Sequence, residues 1–159
     1  MKRALHIALI LASVITVSLT ACSKRDKVIS VEDDDAEMNS AIVKARETLP
    51  HFWQVFEKPE RGESDFALKV KITDQRGTEH FWAIDIEKLN GKIKGTINND
   101  PNIVKAVKLG SRIEIPEADI SDWMYMREEK MIGNQTLKPL FKQMSAEQVK
   151  QFKSIMAEP

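Results

Sequence analysis

Apolar residues are spaced along this chain in several successive ways, and each spacing predicts a different element. From Ala4 to Leu19 they run almost unbroken behind Lys2 and Arg3, with only His6, Ser13, Thr16 and Ser18 intervening. A charged start, a short apolar stretch and the boundary Thr20-Ala21-Cys22 read as a cleaved signal over residues 1–21, not a permanent membrane span. Ser23 to Val31 is polar and aperiodic, which predicts a tether over 22–32 ahead of a single domain at 33–159. Met38, Ile42, Val43, Ala45 and Leu49 then fall at helical spacing behind Asp33, Asp34 and Asp35, which are placed to cap the helix and face its dipole. Calcium binding is the alternative use of these aspartates, but the spaced ligands and glycine of an EF-hand loop are missing. Thr48-Leu49-Pro50 predicts a break, and Pro50 to Glu57 a second short helix in which Phe52, Trp53 and Phe56 cluster.

From Asp65 the period becomes two. Phe66, Leu68, Val70 and Ile72 alternate with polar residues, Asp74-Gln75-Arg76-Gly77 turns, and Thr78 to Ile86 returns as the second strand of a hairpin. That alternation puts His80, Trp82, Ile84 and Ile86 on one side and Glu79, Phe81, Ala83 and Asp85 on the other. Asn90-Gly91 is the next tight turn, leading into Ile93, Gly95 and Ile97. After the turn-forming run Asn98 to Asn102, the spacing of Val104, Val107, Leu109, Ile113 and Ile115 predicts a further strand pair ending at Pro116. Ile120 to Met126 is another strand. The C-terminal part reads as helical from Thr136 or Leu137 to Met144, then again behind the capping box Ser145-Ala146-Glu147-Gln148 through Met156.

Composition narrows the function classes. The chain has 24 basic and 24 acidic residues, so it carries no cationic excess for phosphates, and nucleic acid is not an expected partner. Cys22 is the only cysteine, so no disulfide is expected. Beyond the signal only His51 and His80 remain, neither in a metal-ligand spacing, and no metal or cofactor is expected. Nucleophile-elbow and phosphate-loop motifs are absent.

The segment Leu19-Thr20-Ala21-Cys22 resembles the lipobox of bacterial lipoproteins. The resemblance implies lipid attachment at Cys22, which would become the first residue after cleavage. At about 0.8 kcal/mol per buried methylene, more than one acyl chain makes such an anchor stable. Ser23 and Lys24 replace the aspartate that favours inner-membrane retention in diderm lipoproteins, which points to the outer membrane. Further along, Asp35, Glu37-Met38, Ala45-Arg46, Asp65-Phe66, Leu68-Lys69-Val70, Glu79-His80-Phe81-Trp82, Gly95, Asn98 to Pro101, Gly110 and Ile120-Ser121-Asp122-Trp123-Met124-Tyr125 resemble, in order, the YegJ-like bacterial domain of unknown function. This resemblance covers about residues 33–140 and implies a small α+β domain without an assigned activity.

The expected fold is α+β: an N-terminal helix packed on an antiparallel twisted sheet or partly open barrel, with a C-terminal helix. Large aromatic faces beside acidic acceptors make Glu79, His80, Trp82, Asn99, Asp100, Asp122, Trp123 and Tyr125 candidates for one binding surface, against the plainer reading of core aromatics and turn-forming acids. The expected role is a non-catalytic interaction module in the cell envelope, facing the periplasm and meeting an envelope protein or a cell-wall ligand. The alternative is a hydrolase using Asp122 or Glu79 with His80.

Overall fold

The computed structural model describes residues 35–158. The expected signal, Cys22 and the tether lie outside the described residues. Helix α1 runs from Ala36 to Glu57, and Asp35 caps it by accepting the amides of Glu37 and Met38 at 2.9 and 3.0 Å. The expected break at Pro50 does not occur: Pro50 lies inside one helix of 22 residues. Proline there removes one helical N–H, but neighbouring carbonyls gain side-chain donors, Thr48 Oγ1 to Lys44 and Ala45 and Trp123 Nε1 to Ala45 at 2.8 Å. Leu49, Phe52 and Trp53, on either side of the proline, are all buried against the sheet. Burying each such side chain contributes roughly 1.5–3 kcal/mol, which holds the helix through its weak point. Val43, expected in the apolar stripe, is exposed.

Among the described residues, seven strands form one open sheet: β1 (Glu63–Asp74), β2 (Gly77–Leu89), β3 (Lys92–Ile97), β4 (Arg112–Ile115), β5 (Ile120–Arg127), β6 (Lys130–Gly133) and β7 (Met156–Ala157). Their order is β4-β3-β2-β1-β5-β6-β7, antiparallel throughout except for the parallel β6–β7 pair. The fold is therefore α+β, with an open sheet and not a barrel. Leu68 and Val70 of β1, Trp123 and Tyr125 of β5 and Ile132 of β6 meet α1 in the main core. A second cluster of Phe81, Ile97 and Val104 fills the other end.

Three register shifts interrupt simple alternation and change which side chains share a face. Asp85 has φ +50° at a register shift between Ile84 and Glu87, and this bulge turns Ile86 toward the main core, away from the His80 and Trp82 side predicted for it. Gly95 fits beside it, since a Cβ there would lie 3.0 Å from Ala83, Ile86 and Ile115. The other two lie in the β1–β5 pair, one between Ser64 and Ala67, where Asp65 has φ +53°, and one between Lys69 and Val70 opposite Ser121.

Residues 98–111 are mostly irregular, and only Arg112–Ile115 forms the expected later strand. Side chains accept the amides of residues 102–106, and at the loop's ends Asn98 N donates to Trp82 O and Gly110 N to Ile97 O, each at 2.8 Å. The C-terminal helix α2 (Ala146–Ile155) begins at the predicted capping box, with Ser145 accepting from Gln148 N and Gln148 accepting from Ser145 N. It does not seal the core, because none of its residues is buried. The segment before it forms two 3-10 turns, Gln135–Leu137 and Pro139–Gln143. No described helix is long and apolar enough to cross a membrane.

Candidate functional site

On the sheet face turned away from α1, pairing sets Lys69 opposite Trp82 and Lys71 opposite His80. The Lys69 ammonium lies 5.4 Å from the Trp82 ring centre, within cation–π reach, and donates to Thr136 Oγ1 at 2.9 Å. Thr136 Oγ1 in turn donates to Asp122 Oδ2 at 2.7 Å. Burial lowers the Lys69 pKa, while the Asp122 charge opposes the shift.

Asp122 sits where β6 has ended and β5 would otherwise present unpaired groups. Its carboxylate accepts the amides of Trp123, Gln135 and Thr136 besides the Thr136 hydroxyl. Desolvation raises its pKa above the ordinary carboxylate value, against the Thr136 hydroxyl and amide, the Trp123 amide and the Lys69 charge. Ser121, displaced by the bulge, fills the gap that the bulge creates: its hydroxyl lies 3.2 Å from the Lys69 carbonyl and 2.7 Å from His80 Nδ1. The tautomer that satisfies all three groups has His80 Nδ1–H donating to Ser121 Oγ and Ser121 O–H donating to Lys69 O. In that arrangement the serine proton points at backbone and not at a base.

The eight residues expected on one surface divide between environments. His80 and Trp82 are half-buried on the face just described, with Asp122 wholly buried beneath. Trp123 and Tyr125 are wholly buried on the α1 face. Glu79 points away from His80, because neighbours on a strand alternate, and its carboxylate accepts the amides of Asn102, Ile103 and Val104 at 3.0–3.3 Å. Burial pushes its pKa up, but those amides outweigh it and the net shift is downward. Asn99 Oδ1 accepts the Trp82 amide at 2.9 Å, and Asp100 is exposed in the same loop. The geometry thus joins His80, Trp82 and Asp122, ties Asn99 to them only through the Trp82 main chain, and leaves the other four elsewhere. It does not bring Glu79 to His80.

Sequence reasoning missed Lys69, Ser121 and Thr136, which tie the face together. The spacing of Lys69 and Thr136, 67 residues apart, carries no local signal. A second network was missed on the α1 side: Tyr125 Oη receives Arg127 Nη2 at 2.7 Å and meets His51 Nε2 at 3.2 Å, while Arg127 pairs with Glu63 at 3.0 Å. Among the described residues there is no cluster of three or more His, Cys, Asp or Glu able to hold a metal.

This α+β domain matches, over residues 35–157, the model of the family described as "Uncharacterized protein conserved in bacteria (DUF2314)". The chain belongs to that family. The Escherichia coli K12 protein "Uncharacterized protein YegJ" is 41% identical over 115 residues, which are 72% of this chain and 74% of that protein. A Neisseria meningitidis serogroup B protein named as an ankyrin repeat protein is 34% identical over 127 residues, 74% of this chain and 50% of that protein. No solved structure matches the chain. DUF2314 membership agrees with the YegJ-like resemblance read from the ordered motifs.

Proposed function

We propose that this DUF2314 protein is a lipid-anchored envelope module, attached through Cys22 and facing the periplasm, whose domain binds a partner without catalysis. The outer membrane is the preferred site, from Ser23 and Lys24 after the cysteine. The observation that carries the binding role is the contrast between acids and aromatics. Asp122 and Glu79, the acids available to a hydrolase, are spent on main-chain amides, whereas Trp82 and His80 stay half-exposed beside exposed Lys71 on a rigid strand pair. Such a face suits an acidic or carbohydrate partner, with the Trp82 ring for stacking and Lys71 for charge.

Crosslinking of the anchored protein in the envelope, followed by mass spectrometry, tests this reading. A stoichiometric partner lost in Trp82→Ala and Lys71→Glu, both folded, is the expected result. An unchanged partner set in both variants excludes this face as the interface.

A further inference from the structure

The C-terminal arm is held differently from the rest of the sheet. β7 consists of two residues, paired in parallel as Met131 with Met156 and Ile132 with Ala157. The helix that delivers it, α2, contributes no buried residue, although Val149, Phe152 and Ile155 line one half-exposed stripe. Beneath the arm, Met131 and Ile132 of β6 are buried. A parallel pair this short adds little cohesion of its own. Beyond that pair, Lys130 Nζ donates to the Ser154 carbonyl at 2.8 Å and Ala157 packs against the main core, while at the tip Glu158 accepts from Lys138 at 2.8 Å and lies 3.9 Å from Lys44, both lysines and Glu158 partly or largely exposed. Two grooves flank this clamp. One, of about 340 Å³, lies between α1 and the 3-10 turns and includes Lys44, Gln135 and Lys138. The other, of about 450 Å³, is lined by Lys138, Phe141, Lys153, Met156, Ala157 and Glu158.

Apolar edge, apolar groove floor and a lysine pair at the end together read a short message: extended backbone, two small or flexible apolar side chains, then a carboxylate. The chain's own Met156-Ala157-Glu158 displays it. We propose that the outer edge of β6 with the Lys44–Lys138 clamp is a strand-accepting site for an extended partner segment, apolar residues followed by an acidic one, and that β7 with Glu158 is its resident competitor. Strand addition at a sheet edge supplies main-chain hydrogen bonds for affinity, while pockets for alternate side chains supply selectivity. The site rests on the interaction-module reading only in assuming a protein partner, and it shares no residue with the Trp82 face.

The probe is a fluorescent peptide of residues 154–159, Ser-Ile-Met-Ala-Glu-Pro, titrated into the full chain in detergent. Glu158→Gln, at an exposed position, loosens the resident tip and leaves the lysines open. Its expected affinity for the peptide is about threefold above that of the unsubstituted chain, in the range that an exposed ion pair supplies. Adding Lys138→Glu returns binding to the starting level or below. Equal or absent binding in the unsubstituted and Glu158→Gln chains, with tryptophan emission unchanged, overturns the proposal. Amide exchange supplies the second measurement: residues 146–158 are expected to exchange at least 100-fold faster than β5, and equal protection of arm and β5 also overturns it. Loss of the peptide result with the Trp82-dependent partner retained removes this site and leaves the module reading standing.

Discussion

Replacing Glu79 tests whether one carboxylate organises the loop at residues 98–111. Glu79 is only 8% exposed and receives three consecutive amides, those of Asn102, Ile103 and Val104, with Asn102 Nδ2 as a fourth donor at 3.4 Å. In Glu79→Ala the amides of exposed Asn102 and Ile103 regain water, while that of buried Val104 has none nearby. A stranded buried donor costs about 1–3 kcal/mol, and each of the two exposed bonds exchanged for water about 0.5–1.5 kcal/mol more, so about 3 kcal/mol is expected. If the loop peels away, Val104 also leaves Phe81 and Ile97, adding roughly 1.5–3 kcal/mol. Glu79→Gln keeps one acceptor but sets an NH2 against donors, and about 2 kcal/mol is expected. The pH dependence has a definite sign. Because the folded pKa lies below the unfolded value, the stabilisation is present above the unfolded pKa, near 4.3, and is lost as pH falls through the folded pKa. Urea unfolding from pH 7 to pH 3, with amide exchange at 102–104, reads both effects. A Glu79→Gln chain within 0.5 kcal/mol of the original, with those amides equally protected and the acid limb unchanged, would refute the reasoning.

Other substitutions probe separate contacts. Gly133→Ala puts a Cβ 2.4 Å from the Trp123 carbonyl oxygen and 2.7 Å from its ring at φ +88°, so a loss of about 3 kcal/mol or more is expected by thermal unfolding. Trp123→Phe removes the donor to the Ala45 carbonyl and part of a wholly buried ring, and urea unfolding should show a loss of about 2–3 kcal/mol. Lys69→Met exchanges a desolvated ammonium for an apolar chain of similar length and leaves the Thr136–Asp122 bond in place; stability should stay within about 1 kcal/mol while partner capture weakens. Cys22→Ala should release the protein from the membrane to the soluble periplasmic fraction, and continued pelleting with membranes would defeat the anchor.

Sequence reading recovered what depends on local period. The alternation of Phe66, Leu68 and Val70 against Lys69 and Lys71 marks a strand with one core face, and Asn90-Gly91 closes the next hairpin where expected. The capping of α1 by Asp35 and of α2 by Ser145 and Gln148 was equally local. What escaped depends on a partner strand or on distant packing. Asp85 becomes a bulge only because β3 pairs past it, and this reversed Ile86. Ser121 shifts toward His80 only because β1 and β5 slip by one residue. Pro50 argued for a break that the burial of Leu49 and Phe52 overrides. β7 has too few residues for any periodic signal, and its parallel pairing joins segments 25 positions apart. For the site, residue type found His80, Trp82 and Asp122, but charge and aromaticity could not tell which side of the sheet received Trp123 and Tyr125.

Glu79 and Asp74 grip the loop by its amide groups: Asn102, Ile103 and Val104 on the first, Lys105 and Ala106 on the second. Attachment through main chain leaves the identity of most side chains there unspecified. Asn102, Ile103, Lys105 and Ala106 are exposed, and only Val104 is committed to the interior. Members of the family can therefore rewrite this stretch while keeping its path, provided the two acids and one inward apolar residue persist. The hairpin carries an exchangeable surface loop on a fixed mount, and that is where diversification between relatives, or grafting by design, meets least resistance.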